Sequence, residues 1–444
     1  MEDAASQWVG TARPKTPLPR AFQQQAALWV AVGSVVPAVA VAVGFRWVGA
    51  VAGTQGFGRA TLFYGAALLG VAIVAGGIAQ SITRLTLDSN DRAERADIWN
   101  AALALGLAAS ATLALLFAAV AVIMPTTVGR PSPLEVFAVA LALPCEAVRS
   151  IALGQLSGVS RFRDAAAVQT ADALLRPVVV VGLASFGLRW TPAECVLVAY
   201  ALVALASSLL AFVMVLRFLG FGRCRRRWLA AHFRYAYPLV LNGLFGWIAG
   251  TADRYVVAGA VGVGGAGIYL AAMNLGARPA GLLGGMVETY LRPALYSAIV
   301  GNQSACFWRL VVRWFTIVAA TVGSAFALVA LFRSTIITLL LAPEFRSGAS
   351  ALILWGFAAG AVAAMAVLPQ RVSYGLMRTW DVTFVEVAGT VASLACIHFG
   401  GWLGGLRGLA GGLFVGATIR LGLATAVAWR GLRLNRPELL QRHP

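Results

Sequence analysis

The chain has 444 residues, of which 60% are apolar and only 12% charged, with a mean hydropathy of +0.80. A soluble domain carries roughly a quarter charged residues, so a soluble enzyme is excluded. The net charge of +18 is scattered between apolar runs and forms no stripe or tail that could follow a phosphate backbone. Nucleic acid is therefore not expected as a partner, and the charge reads as membrane-orientation charge.

In chain order, residues 1–21 carry Glu2, Asp3, Arg13, Lys15 and Arg20 and lack an apolar signal core with a cleavage site, which predicts a retained cytoplasmic segment. Apolar runs of about 20 residues, the length that crosses a bilayer, follow at 22–44, 61–83, 98–124, 134–157, 165–188 and 192–217. A basic linker at 223–235 then precedes six more runs at 236–260, 265–290, 308–332, 346–370, 380–399 and 406–429, with a tail at 431–444. With both termini in the cytoplasm, Lys and Arg concentrate in alternate loops, and a miscount by one span would invert part of that bias. The expectation is an all-α polytopic membrane protein with about 12 transmembrane helices, in two six-helix bundles at 22–222 and 236–430. Its expected location is the bacterial cytoplasmic membrane, as a multi-pass protein.

The loops expected on the outer side are all short, and no G-x-S-x-G, H-E-x-x-H or kinase-like set occurs. His232, His398 and His443 are far apart, and Cys145, Cys195, Cys224, Cys306 and Cys396 form no C-x-x-C pair. No enzyme activity, metal or cofactor is expected. Gly262, Gly264 and Gly267 satisfy G-x-G-x-x-G, but they fall between two spans without a preceding strand, so the dinucleotide reading fails. Asn302-Gln303-Ser304 is a sequon in a loop placed in the cytoplasm and reads as chance.

Short fragments recur at equivalent places in the two halves, as in transporters built from related bundles. Gly56-Phe57-Gly58 leads into Phe63-Tyr64, and Gly265-Ala266-Gly267 leads into Ile268-Tyr269. Gln155 to Asp164 opens the fifth span much as Gln370 to Asp381 opens the eleventh.

Charges within spans are the informative residues, because each costs at least about 2.5–3.5 kcal/mol near the bilayer centre and must face protein or water. They are Glu146 and Arg149, Asp172 and Arg176, Asp253 and Arg254, Arg278 and Glu288, Glu386, and Arg420. Glu146 with Arg149, Asp172 with Arg176, and Glu288 with Arg292 have i,i+3 or i,i+4 spacing, which suits either internal ion pairs or one ligand-binding face. Arg278 and Arg420 have no acid within a turn of their own helix, which makes them the stronger ligand candidates. Gly404, Gly408, Gly412 and Gly416 form an i,i+4 stripe that permits close helix approach and aims Arg420 inward. Pro177 and Pro279 each follow a mid-span arginine and predict a helix interruption or hinge beside the charge.

Tyr237-Pro238, Trp247, Asp253-Arg254-Tyr255, Gly267-Ile268-Tyr269 and Arg292-Pro293-Ala294-Leu295-Tyr296 resemble the matching stretch of Wzx-type polysaccharide flippases, in the superfamily that also holds the multidrug and toxic compound extrusion (MATE) transporters. The resemblance implies a V-shaped pair of six-helix bundles that moves a polyprenyl-diphosphate-linked oligosaccharide, an O-antigen or exopolysaccharide repeat, to the outer leaflet. A polysaccharide polymerase and a chain-length regulator are its implied partners, alongside membrane lipids. The charges fit such a substrate. Arg149, Arg176, Arg254, Arg278 and Arg420 offer forked donors to a diphosphate, with Glu146, Asp172, Asp253, Glu288 and Glu386 as carriers of a coupling proton or sodium. A small-solute or multidrug secondary transporter, including the major facilitator type, is the alternative. A membrane scaffold whose buried charges serve only packing is a third.

Overall fold

The computed structural model describes residues 20–89, 91–123, 129–237, 239–376 and 378–435, so most of the expected N-terminal segment and of the C-terminal tail lies outside the described residues. Among these residues, twelve α-helical elements follow one another: α1 (Arg20–Asp88), α2 (Arg92–Ile123), α3 (Pro133–Gly158), α4 (Phe162–Ser185), α5 (Pro192–Leu219), α6 (Arg226–Ala236), α7 (Leu239–Thr251), α8 (Asp253–Val300), α9 (Ser304–Leu331), α10 (Arg333–Leu340), α11 (Pro343–Gly375) and α12 (Thr379–Asn435). No strand occurs among the described residues. Among the described residues, nine stretches are long and apolar enough to cross a membrane, which makes this a multi-pass membrane protein. Three of them, at Ala31–Thr86, Leu239–Glu288 and Trp380–Leu434, run for 56, 50 and 55 residues, about twice the length of one crossing.

Each long stretch folds back on itself. Phe45 and Phe57 would stand about 18 Å apart along a straight helix, yet their rings are 5.3 Å apart, and between them Gly53 adopts φ 61°, a backbone region open to glycine. Gly262, with φ 81°, does the same in α8 and brings the Tyr269 hydroxyl within 2.9 Å of Asp253. In α12 the fold-back is at Gly404-Gly405, where the backbones of Gly400 and Gly408 meet. Counted as two crossings each, these hairpins are consistent with the expected twelve spans.

Two entries on the side of these turns are capped alike. Ser132 and Thr191 accept the backbone N–H groups of Glu135 and Glu194, whose carboxylates accept the N–H groups of the caps, with Pro133 and Pro192 in the first turn. Arg59 then ties α1 to α3 through Glu135, at 2.7 and 2.8 Å.

The two bundles touch at this end through glycine. The same sequence offset separates Gly53 from Gly262 and Gly58 from Gly267, so the repeat expected from the glycines is realised as paired turns. A methyl group on Gly58 or on Gly267 would stand 3.1 Å from the other's backbone nitrogen. Phe57 also packs edge-on against Phe345 of α11, at 5.9 Å, and Arg46 donates to the Leu339 carbonyl at 3.1 Å. One apolar core accordingly runs from Val48, Phe57 and Val196 into Tyr269, Phe345 and Ile353.

The helices run through Pro177 and Pro279 without a break. Pro177 packs instead against Gly44, where an added methyl would meet its ring at 2.8 Å. The break within a span falls at Ala252, between α7 and α8, where no proline marks it. Of the glycine stripe, Gly408, Gly412 and Gly416 lie against Gly400, Cys396 and Ser393 of the preceding crossing, whereas Gly404 sits in the turn.

Candidate functional site: an arginine-lined central cavity

A cavity of about 490 Å³ opens between α1, α3, α4 and α5 on one wall and α8 on the other. Its lining includes Glu146, Arg149, Asp172, Arg176, Arg254 and Arg278. Four of the five candidate arginines are therefore brought together, with two of the five candidate acids.

The α3–α4 wall is a closed ion network. Glu146 is 2% exposed, and a buried carboxylate is tolerated only when its lone pairs are filled by donors. It accepts the Tyr64 hydroxyl, Arg149 Nε at 3.0 Å and Arg176 Nη2 at 2.7 Å. Asp172 accepts Arg176 Nε at 3.0 Å and the Ser207 hydroxyl at 3.0 Å, with Arg149 Nε 3.9 Å away. The Arg176 guanidinium also lies over the rings of Tyr64, at 5.4 Å, and Tyr200, at 5.1 Å, a cation–π arrangement. Both i,i+3 and i,i+4 pairs expected from the sequence are present. The link from Arg176 to Glu146 and the roles of Tyr64, Tyr200 and Ser207 come from elements distant in sequence. Buried hydroxyls within apolar spans were the available signal for these three.

The opposite wall is different. Arg254 and Arg278 have no carboxylate partner among the described residues, and Arg278 is exposed to the cavity. Asp253, next to Arg254, faces away. Its Oδ1 accepts the Arg254 backbone N–H at 2.9 Å and its Oδ2 the Tyr269 hydroxyl at 2.9 Å. The break at Ala252 makes these two residues the start of α8, which explains why neighbours in sequence serve different spaces. Gln169 and Asn274 add uncharged amides to the lining.

The remaining candidates lie elsewhere. Arg420 is paired with Glu386 of the preceding crossing, and Glu386 also accepts from Gln370 at 3.1 Å. With Asp253, Thr390 and Ser393, Arg420 lines a separate cavity of about 150 Å³ inside the C-terminal bundle. The glycine stripe does turn Arg420 inward, across Gly389, but into this space. Glu288 is held by Arg371 at 2.8 Å and Arg292 at 3.3 Å, away from both cavities. No cluster of three or more metal-ligating side chains occurs among the described residues.

Two helical bundles around a polar cavity define the architecture of the MATE transporters. An inward-facing structure of a multidrug resistance MATE family transporter of the MOP superfamily has a TM-score of 0.70 over 92% of this chain and 95% of its own, at 14% identity. An outward-facing structure under the same description gives 0.66, over 94% and 96%, at 14% identity. A MATE structure in complex with MaL6 gives 0.67, over 94% and 97%, again at 14%. At such identity the likeness is one of fold. Within that fold, the model of a family described as polysaccharide biosynthesis protein matches residues 53–349, more than half of the chain, and the chain belongs to that family. No curated protein matches the sequence significantly.

Proposed function

We propose that the protein is a flippase that moves a polyprenyl-diphosphate-linked oligosaccharide from the cytoplasmic to the outer leaflet of the inner membrane, by alternating access, for surface polysaccharide biosynthesis. The observation that carries this reading is the pair of cavity-facing guanidinium groups, Arg254 and Arg278, that lack carboxylate partners opposite a wall whose charges cancel. The lining therefore carries two uncompensated positive charges, and a diphosphate diester carries two negative ones. Charge-assisted hydrogen bonds from planar guanidinium groups suit its oxygens. A drug cation would need a free carboxylate, and both acids in this lining are saturated by arginine donors. This disfavours the multidrug alternative.

The lipid tail stays in the bilayer while the head group occupies the cavity, and rocking of the bundles exposes it outside. An inside-negative potential assists outward movement of the anion by about 2.3 kcal/mol per charge per 100 mV. Glu146 and Asp172 are poorly disposed to carry a coupling ion because arginine guanidinium groups already neutralise them, whereas the donors to Asp253 are a backbone N–H and a hydroxyl. Asp253, beside the second cavity, is the stronger candidate for a proton or sodium.

The test uses proteoliposomes carrying a fluorescent polyprenyl-diphospho-oligosaccharide, whose accessibility to an impermeant sugar-cleaving enzyme reports translocation. Wild type is expected to translocate it and Arg278→Ala to lose the activity while keeping its thermal stability. Wild type that moves no lipid-linked sugar but moves small cations refutes the reading.

A further inference from the structure

Helix α6 departs from the spans in sorting its residues by face. Trp228, His232 and Ala236, at i, i+4 and i+8, form the side turned toward the N-terminal bundle, where His232 and Ala236 are buried. His232 Nε2 donates to the Ile98 carbonyl at 3.0 Å, and Nδ1 accepts from the Ser81 hydroxyl at 2.7 Å. The segment leading into α6 is fastened to the same bundle. Arg225 pairs with Asp97 at 2.7 Å, the Arg223 backbone N–H donates to Asp97 at 2.6 Å, and Asn100 donates to the Gly222 carbonyl.

The outward stripe is Arg226, Ala230, Phe233 and Tyr237, at i, i+4, i+7 and i+11. Phe233 is 59% and Tyr237 68% exposed, with their rings stacked at 6.0 Å, and Phe221 nearby is 81% exposed. Arg225 and Arg227 are occupied by Asp97 and Glu94. Arg223, Arg226 and Arg234 are exposed and have no carboxylate partner among the described residues. Large aromatics interleaved with arginine are costly in bulk water but suit the boundary between headgroups and acyl chains. The unpaired arginines complement the anionic lipids of a cytoplasmic leaflet, the side on which the charge bias puts this helix.

We propose that the outer face of α6 is a binding surface for anionic phospholipid headgroups, with Phe233 and Tyr237 entering the acyl boundary and Arg223, Arg226 and Arg234 taking the phosphates. Because α6 is hydrogen-bonded to the N-terminal bundle and immediately precedes α7, these lipids hold the N-terminal bundle at the point where the chain passes into the C-terminal one.

The test is thermal unfolding of the full chain in phosphatidylcholine mixed micelles, with added phosphatidylglycerol, added phosphatidylcholine or inorganic phosphate. Phosphatidylglycerol is expected to raise the unfolding midpoint by a few degrees and the other two to leave it unchanged. Added salt should shrink the rise, since exposed charges are screened. R223Q/R226Q/R234Q breaks no ion pair described above, and it should keep the wild-type midpoint without phosphatidylglycerol while losing most of the rise. A full rise in that variant overturns the proposal. So does a wild-type rise that is insensitive to salt or equally produced by phosphatidylcholine or phosphate, and these controls decide the matter even if the triple variant does not fold.

Discussion

The two walls of the central cavity solve the problem of buried charge in opposite ways. On the α3–α4 side, Glu146 and Asp172 are surrounded by Arg149, Arg176, Tyr64 and Ser207, so every carboxylate has donors and every arginine has an acceptor. On the α8 side, Arg254 and Arg278 face the cavity without a carboxylate partner among the described residues. A saturated network is rigid and holds the wall's shape, whereas an unsaturated pair is stable only when water or an anionic ligand faces it. Under the proposed function, structure and binding are divided between the bundles, and residues of one chemical type serve both ends.

The largest effect expected on this division comes from Glu146→Ala, which leaves Asp172 as the single carboxylate for the two buried guanidinium groups of Arg149 and Arg176 and should cost about 3–5 kcal/mol, read as a fall in the unfolding midpoint in detergent. The doubly substituted Arg254→Gln/Arg278→Gln should leave that midpoint near wild type yet cut substrate binding about 10- to 100-fold per lost charge-assisted bond, at about 1.5–3 kcal/mol each, measured by titration with the lipid-linked sugar. If the two variants exchanged phenotypes, the division would be wrong. Gly58→Ala tests the contact that closes the far end of both walls. The methyl meets the Val263 carbonyl, so a cost of about 1–3 kcal/mol is expected, with increased labelling of a cysteine introduced in the cavity from the outer side.

The smallest effect concerns a buried polar group at the membrane edge of the saturated bundle. Burial holds the His232 imidazole below its ordinary value, although its bond to the Ile98 carbonyl opposes this in part. The folded state therefore binds this proton less readily than the unfolded chain does. Its contribution is fully present above the unfolded value of about 6.5 and is lost as pH falls through the lower folded value, with a slope of at most about 1.4 kcal/mol per pH unit. Melting of wild type between pH 7 and pH 5 should show this loss, and His232→Gln should flatten it.

The contrast between the walls was only half legible in sequence. Hydropathy and the distribution of arginine located the spans, because bilayer thickness and charge exclusion act on each segment separately. Glu146 with Arg149 and Asp172 with Arg176 were readable because a helix fixes which side chains meet within one turn. Arg420 has no acid within a turn of its own helix, but Glu386 reaches it across the hairpin at Gly404-Gly405, a partnership set by packing between crossings. The prolines at 177 and 279 signalled interruptions that the helices absorb, while the interruption at Ala252 has no proline beside it. The linker at 223–235 read as a run of charge. Its helical character lay in the four-residue spacing of Trp228, His232 and Ala236, which the arginines obscured.

The glycine contact between the bundles has a mechanical consequence. Gly58 and Gly267 meet main chain to main chain, so at that point no knob is seated in a hole and no rotamer has to change before the surfaces part. Separation there breaks only weak dispersion contacts spread over a small area, and any resistance to opening resides mainly in neighbours such as Phe57, Phe345 and Arg46. Under the proposed alternating access, such a joint would slide and lift without ratcheting, and substituting those three side chains would tune the rate of opening at this end while the glycine seam stays as it is.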